Sequence, residues 1–288
     1  MRGKRFHDIM LLSATLVWGS SFFIIKDLVG SLDPFVLVAY RFLTAAIVLA
    51  VLILALKKNI FANLKEGFIL AVTVWLVTVL QACGMVYTTA SNSGFITAMF
   101  VVFVPLLSVL LFGGKLKKSS LVAIGIDIAG LWFLTEGLKA VNLGDILTLL
   151  AAVASAFHIL FIDTFAKKGL DPLVLCFQQL FFAGALSLLT AFVIGAPFAV
   201  PGRKAVLSLA FLIALPTLFS FLVQVFSQKH IDAVKASLIY TLEPVFAAAL
   251  AWTIGGETAV PVRVFGGTLI FIGMIISDIP WKFIGGKK

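Results

Sequence analysis

Charge is scarce in this chain. Only 12% of its 288 residues are Asp, Glu, Lys or Arg, about half the share in a soluble globular domain. The hydrophobic share is 61%. A water-soluble fold would have too little polar surface to cover that much hydrocarbon, so the bilayer is the solvent that fits. The net charge of +9 does not point to nucleic acid, because the basic residues sit in short clusters between apolar runs, as membrane orientation uses them. Cysteine is almost missing. Cys83 and Cys176 both fall inside apolar runs and read as small buried side chains, not as a disulfide or a metal site. No Walker-type lysine loop occurs, which excludes ATP-driven work by this chain alone.

What is abundant is long apolar sequence. About 20 apolar residues cross a hydrocarbon core of about 30 Å as a helix. Ten segments qualify: 8–28, 34–56, 67–88, 93–113, 119–135, 145–165, 172–195, 205–227, 234–254 and 262–280. Met1 to His7 is basic and leads into an apolar run that continues to Leu28 with no small-residue cleavage site. It reads as a retained first span, not a leader. The linkers are short. Asp33-Pro34 and Asp171-Pro172 read as helix caps followed by proline at the first helical position. Gly113-Gly114 and Gly255-Gly256 read as helix ends.

With the N-terminus in the cytoplasm, the inner segments hold 16 Lys and Arg and the outer segments 5. This positive-inside bias predicts that both termini are cytoplasmic.

The chain repeats itself. Leu32-Asp33-Pro34-Phe35-Val36-Leu37 recurs 138 residues later as Leu170-Asp171-Pro172-Leu173-Val174-Leu175. Further on, Ala90, Ile96, Phe103, Gly113 and Gly130 recur 143 residues later as Ala233, Ile239, Phe246, Gly256 and Gly273. Each half has five spans, and an odd number forces the halves to insert in opposite senses. The expected fold is therefore all-α, ten transmembrane helices as two inverted five-helix repeats, 1–138 and 139–288. Ala123 and Gly130 on span five, with their mates Gly266 and Gly273 on span ten, are seven apart and mark close packing faces.

Trp18-Gly19-Ser20-Ser21 resembles the opening motif of the drug/metabolite transporter superfamily, EamA type. Gly144-Asp145-Ile146-Leu147-Thr148-Leu149-Leu150-Ala151-Ala152 is similar to its second-half opening. Ala236-Ser237-Leu238, Leu242-Glu243-Pro244-Val245-Phe246 and Gly255-Gly256-Glu257 are similar to the end of its second repeat. The resemblance covers residues 8–280. It implies ten helices around a central cavity, and export or exchange of metabolites such as amino acids, or of toxic organic compounds. Two positions depart from the pattern: Val101 stands where the family often has Pro, and Ala156 where it commonly has Trp.

Polar groups at membrane depth are candidates for function. Glu243 lies near the middle of span nine. Pro244 follows it and frees the carbonyl of Tyr240, so the site can take a cation, a proton or a substrate amine. A protonated Glu bracing the helix break is the bland alternative. His158 lies past the middle of span six and can switch charge near neutral pH, or simply bond a neighbouring helix. Its mate is Ser20. Trp18, Phe100 and Tyr240 offer aromatic walls, with Thr97 the mate of Tyr240 and Phe100 the mate of Glu243. The candidate substrate-binding set is thus Trp18, Ser20, Thr97, Phe100, His158, Tyr240 and Glu243. Asp127 reads as a packing or dimer-interface group. Arg41 can snorkel outward or pair with Asp127 or Glu243. Gln81, Gln178, Gln179 and Gln224 read as interhelix hydrogen-bonding groups.

These features predict a multi-pass secondary transporter in the cell membrane, of prokaryotic inner-membrane type. Its partners are a small-molecule substrate, lipid and coupling protons, with no nucleic acid, cofactor or metal, and the chain acts as a monomer or homodimer. The competing class is a polytopic enzyme acting on lipid. That needs clustered catalytic groups, whereas Asp127, Asp163 and Glu243 are scattered over three spans, so no catalytic residue is assigned. A channel would need a ring of like charges.

Overall fold

The computed structural model describes residues 2–113, 116–135, 141–253 and 258–278. Gly114 and Gly255-Gly256-Glu257 lie outside the described residues. Among those described there is helix and connecting turn but no strand. The first half holds α1 (Arg2–Leu28), α2 (Pro34–Ala55), α3 (Leu64–Tyr87), α4 (Ala90–Ala98), α5 (Phe100–Phe112) and α6 (Lys118–Thr135). The second holds α7 (Leu143–Lys167), α8 (Pro172–Val193), α9 (Gly202–Leu212), α10 (Ser220–Gln228), α11 (Ala233–Tyr240), α12 (Glu243–Thr253) and α13 (Pro261–Asp278). A π-helical turn, Ile213–Phe219, joins α9 to α10.

Among the described residues eight runs are long and apolar enough to cross a membrane, and Pro261–Ser277 is a shorter apolar helix. Helices α4 and α5 form one passage, as do α9 with α10 and α11 with α12. With α6 lying along α13, the described helices make ten passages. The caps follow from local chemistry. Asp33 accepts from the backbone N–H of Phe35 and Val36, and Asp171 from that of Leu173 and Val174. Pro34 and Pro172 need no such acceptor, so each helix starts cleanly. Asn142 and Asp145 form a reciprocal capping box at the start of α7.

Large apolar side chains point outward in bands. Ile47, Val51, Leu110, Leu189, Phe192 and Leu207 are each more than 60% exposed. Such a surface suits lipid.

The two halves interlock. Each half's first helix packs on the other half's broken passage: α1 on α11 and α12, and α7 on α4 and α5. Helix α3 packs on α7, and α10 on α1. The mates α2 and α8 face each other, as do α6 and α13. This is the contact pattern of a pseudo-two-fold pair.

The α6–α13 seam is close because it is glycine. A methyl group added to Gly130 would lie 2.8 Å from the carbonyl oxygen of Gly266. One added to Gly266 would lie 2.6 Å from that of Gly130. Backbones that near need hydrogen at these positions. Gly273 leaves room in the same way for the carboxyl group of Asp127.

Two passages are broken at matching places, one where Pro244 announces it and one where no such signal stands. Met99 N–H bonds the carbonyl of Ile96, and Leu242 N–H that of Ile239, both tight three-residue steps. In the second half Pro244 supplies the cause, since it cannot donate to Tyr240. In the first half the proline stands at 105 and withholds the donor from Val101 instead.

Candidate functional site

Both breaks border one cavity of about 90 Å³, room for several waters at roughly 10–15 Å³ each. Trp18, Phe100, Phe221 and Tyr240 form its aromatic wall. The rings meet edge to face: Trp18 with Tyr240 at 5.5 Å, Trp18 with Phe221 at 5.6 Å, and Phe100 with Tyr240 at 6.3 Å between centroids. Such contacts fix ring planes more firmly than aliphatic packing does.

The polar lining comes from both halves. From the first come Ser21, Arg41, Thr78, Gln81 and Thr97. From the second come Ser155, His158, Gln224 and Glu243. Gln81 donates to the hydroxyl of Thr97 at 3.0 Å, tying α3 to the end of α4. Its mate Gln224, 143 residues on, also lines the cavity, as does Tyr240, the mate of Thr97. His158 Nδ1 meets Thr73 Oγ1 at 3.0 Å, and its ring packs against Phe221.

Six of the seven predicted site residues converge on the cavity: Trp18, Thr97, Phe100, His158, Tyr240 and Glu243. Ser20 does not. Its hydroxyl turns back to the carbonyl of Val17 at 2.6 Å, and Ser21, one residue or about 100° around the helix, lines the cavity in its place. Trp18 has a second duty. Its indole N–H donates to the carbonyl of Pro216 at 2.8 Å, a group inside the π turn.

Glu243 is placed by its backbone. A methyl on Gly19 would come 2.6 Å from the Glu243 carbonyl oxygen, so α1 touches the α11–α12 break directly. Among the described residues the Glu243 carboxyl makes no hydrogen bond and no ion pair, and it faces the cavity.

Arg41 departs from its expected places. It is 5% exposed, so it does not snorkel, and it pairs with neither Asp127 nor Glu243. Its Nε donates to Thr217 Oγ1 at 3.1 Å. Asp127 is fully buried and bonded through Oδ2 to Thr241 at 2.9 Å. It braces the α11–α12 break from the α6–α13 seam. Arg41, Ser21, Gln81 and Gln224 were not in the predicted set. The two glutamines carried a usable signal, because they are repeat mates at the 143 offset.

The EamA-like transporter family matches this chain twice, over residues 5–136 and 142–277. The chain belongs to that family. The resemblance seen in its motifs is thereby borne out, and the fold described above is a two-repeat EamA fold. An uncharacterized transporter of Archaeoglobus fulgidus is 29% identical over 283 residues, covering 96% of this chain and 87% of the relative. The uncharacterized inner membrane transporter YedA of Escherichia coli is 26% identical over 285 residues, covering 91% and 90%. A solved crystal structure at 17% identity covers 95% of this chain and 96% of its own, with a TM-score of 0.81; at that identity it speaks for the fold alone. The chain is a multi-pass membrane protein of a transporter family.

Proposed function

We propose that this chain is a secondary transporter that exports or exchanges small metabolites, amino acids or related compounds, or toxic organic compounds by alternating access. One observation carries the reading: both broken passages, one from each half, converge on a single cavity that holds Glu243. Broken helices at mid-depth give a membrane protein free backbone groups and a hinge in one place. Rocking one half against the other would expose the cavity to each side in turn. The substrate-binding set is Trp18, Thr97, Phe100, His158, Tyr240 and Glu243, with Ser21 in the position sought at Ser20. Glu243 takes up and releases a proton, or holds a cationic substrate group, as its surroundings change between dry and hydrated.

The orientation belongs to the same proposal. The 16-to-5 split of basic residues puts both termini in the cytoplasm of a cell whose plasma or inner membrane holds the protein. Externally added thiol reagent should label cysteines placed at Ser31 and Asn142 and spare one at Asn63. The reverse pattern overturns the orientation.

Reconstitution tests the function. Proteoliposomes loaded with a mixture of metabolites should take up a labelled member by counterflow. Absence of counterflow across a panel of amino acids, organic cations and nucleosides, with product formed from added lipid, would favour the lipid-enzyme reading.

A further inference from the structure

Arg41 is a buried cation with no counter-charge among the described residues. It is 5% exposed and lines the cavity. Its Nε is held by Thr217 of the π turn, and its guanidinium carbon lies 5.9 Å from the ring centre of Phe42. No carboxylate among the described residues is within ion-pair distance. Asp127 is engaged with Thr241, and Glu243 lines the same cavity without reaching Arg41. The two terminal nitrogens, Nη1 and Nη2, are left without a protein partner among the described residues.

An unpaired buried charge is costly, and removal from water is offset only when a partner of opposite sign arrives with good geometry. The guanidinium end presents two parallel N–H groups whose spacing matches the two oxygens of a carboxylate. Thr217 occupies Nε and so fixes which edge stays open. Thr217 lies within the widened π turn, a feature that recurs at functional sites. The repeat gives this device to one half only. The mate of Arg41 is Gln179, which is fully buried and bonds Cys176.

We infer that Arg41 is the anion receptor of the cavity, and that the cargo is a small molecule whose carboxylate docks on Nη1 and Nη2. A cargo amine would then face the unpartnered carboxyl of Glu243, and an apolar side chain would meet the wall of Trp18, Phe100 and Tyr240. The inference rests on the transport reading for the word cargo, but the receptor itself is a binding claim. Thr217 is a positioning residue.

Binding to the purified full chain in detergent tests it, read by calorimetry and melting temperature. The probes are three matched sets: leucine, phenylalanine and serine, each beside its amide and its decarboxylated amine. The acid of at least one set should bind about tenfold or more tighter than its amide, the usual worth of a charge-assisted bond. Arg41→Gln should abolish that preference. Arg41→Lys keeps the charge without the fork and should retain part of it, which decides the matter if Arg41→Gln does not fold. Amides or amines that bind as tightly as acids, or a preference that survives Arg41→Gln, overturn the inference, as does failure of all three acids to bind. Counterflow separates the two claims. Acid-selective binding without counterflow of the labelled acid keeps the receptor and removes the transport reading. Counterflow of an organic cation such as ethidium without acid binding does the opposite.

Discussion

The two halves share a backbone plan and differ in the chemistry they bring to the cavity. At one break the first half places Phe100, and at the matching break the second places Glu243. The first half supplies Arg41 where the second has Gln179. The second supplies His158 where the first has Ser20, and the first supplies Trp18 where the second has Ala156. Groups that build the framework, such as Gln81 and Gln224, are kept in both. Groups that carry charge are kept in one. Under the alternating access proposed above, the shared scaffold would let two inverted halves exchange places, while the unlike lining would give an asymmetric substrate one binding pose.

The largest effect expected from breaking this asymmetry is at Glu243. Glu243→Gln keeps the shape and cannot ionise. In proteoliposomes it should abolish gradient-driven accumulation while downhill exchange continues. A wild-type rate with unchanged pH dependence, together with a low protein yield for Glu243→Ala, would make the carboxyl a structural brace.

The second effect is steric and separates the halves directly. Gly19 and Phe157 are repeat mates, yet only Gly19 presses on a backbone break. Gly19→Val should lower stability by about 1–3 kcal/mol, the usual cost of overpacking. It should also slow transport by displacing Glu243. Phe157→Val, on a half-buried ring stacked with Phe161, should leave counterflow near wild type. Equal transport losses in the two variants would sink the claim that α1 and α7 play different parts.

The third concerns Asp127, which braces only the second break. Losing the Asp127–Thr241 bond should cost about 0.5–1.5 kcal/mol. Asp127→Asn should preserve it. Asp127→Ala and Thr241→Val should be non-additive in a double-mutant cycle of melting free energies. Full additivity would show that the two side chains do not act through each other.

The smallest effect lies at the helix caps. Asp33 and Asp171 are mates with the same backbone acceptor role, but only Asp171 also meets Lys58, at 2.6 Å. Burial works against ionisation of Asp171. The Lys58 ammonium and the N–H groups of Leu173 and Val174 outweigh it and hold this carboxyl below its usual range. A depressed carboxyl contributes stability above its unfolded value of about 3.9, and that contribution fades as pH falls through the lower folded value. Lys58→Ala should therefore reduce the melting temperature slightly at pH 7, with the difference from wild type vanishing under strong acid. An exposed pair is worth about 1 kcal/mol at most, and a larger loss at pH 7 would assign Lys58 a different role.

Much of the architecture was legible residue by residue. The Asp-Pro caps formed as expected. The small residues seven apart on spans five and ten became the α6–α13 seam, because spacing along a helix maps directly onto a face. The break at Leu242 was legible from Pro244. The matching break at Met99 was not, because no proline stands at 101 to announce it. Arg41 was misplaced for a related reason: its position in span two was readable, but the direction of its side chain was not.

Hydropathy and the internal repeat determined the solvent, the number of passages and the opposed halves. These follow from length, composition and order along one chain, and local sequence carries them in full. Tertiary structure decided that Ser21 and not Ser20 lines the cavity, that Arg41 turns inward against a π turn, and that Asp127 braces a break on another helix. Each depends on how far a helix is rotated about its axis. That rotation is set by contacts between helices, where a single residue step of about 100° separates a cavity wall from a lipid face.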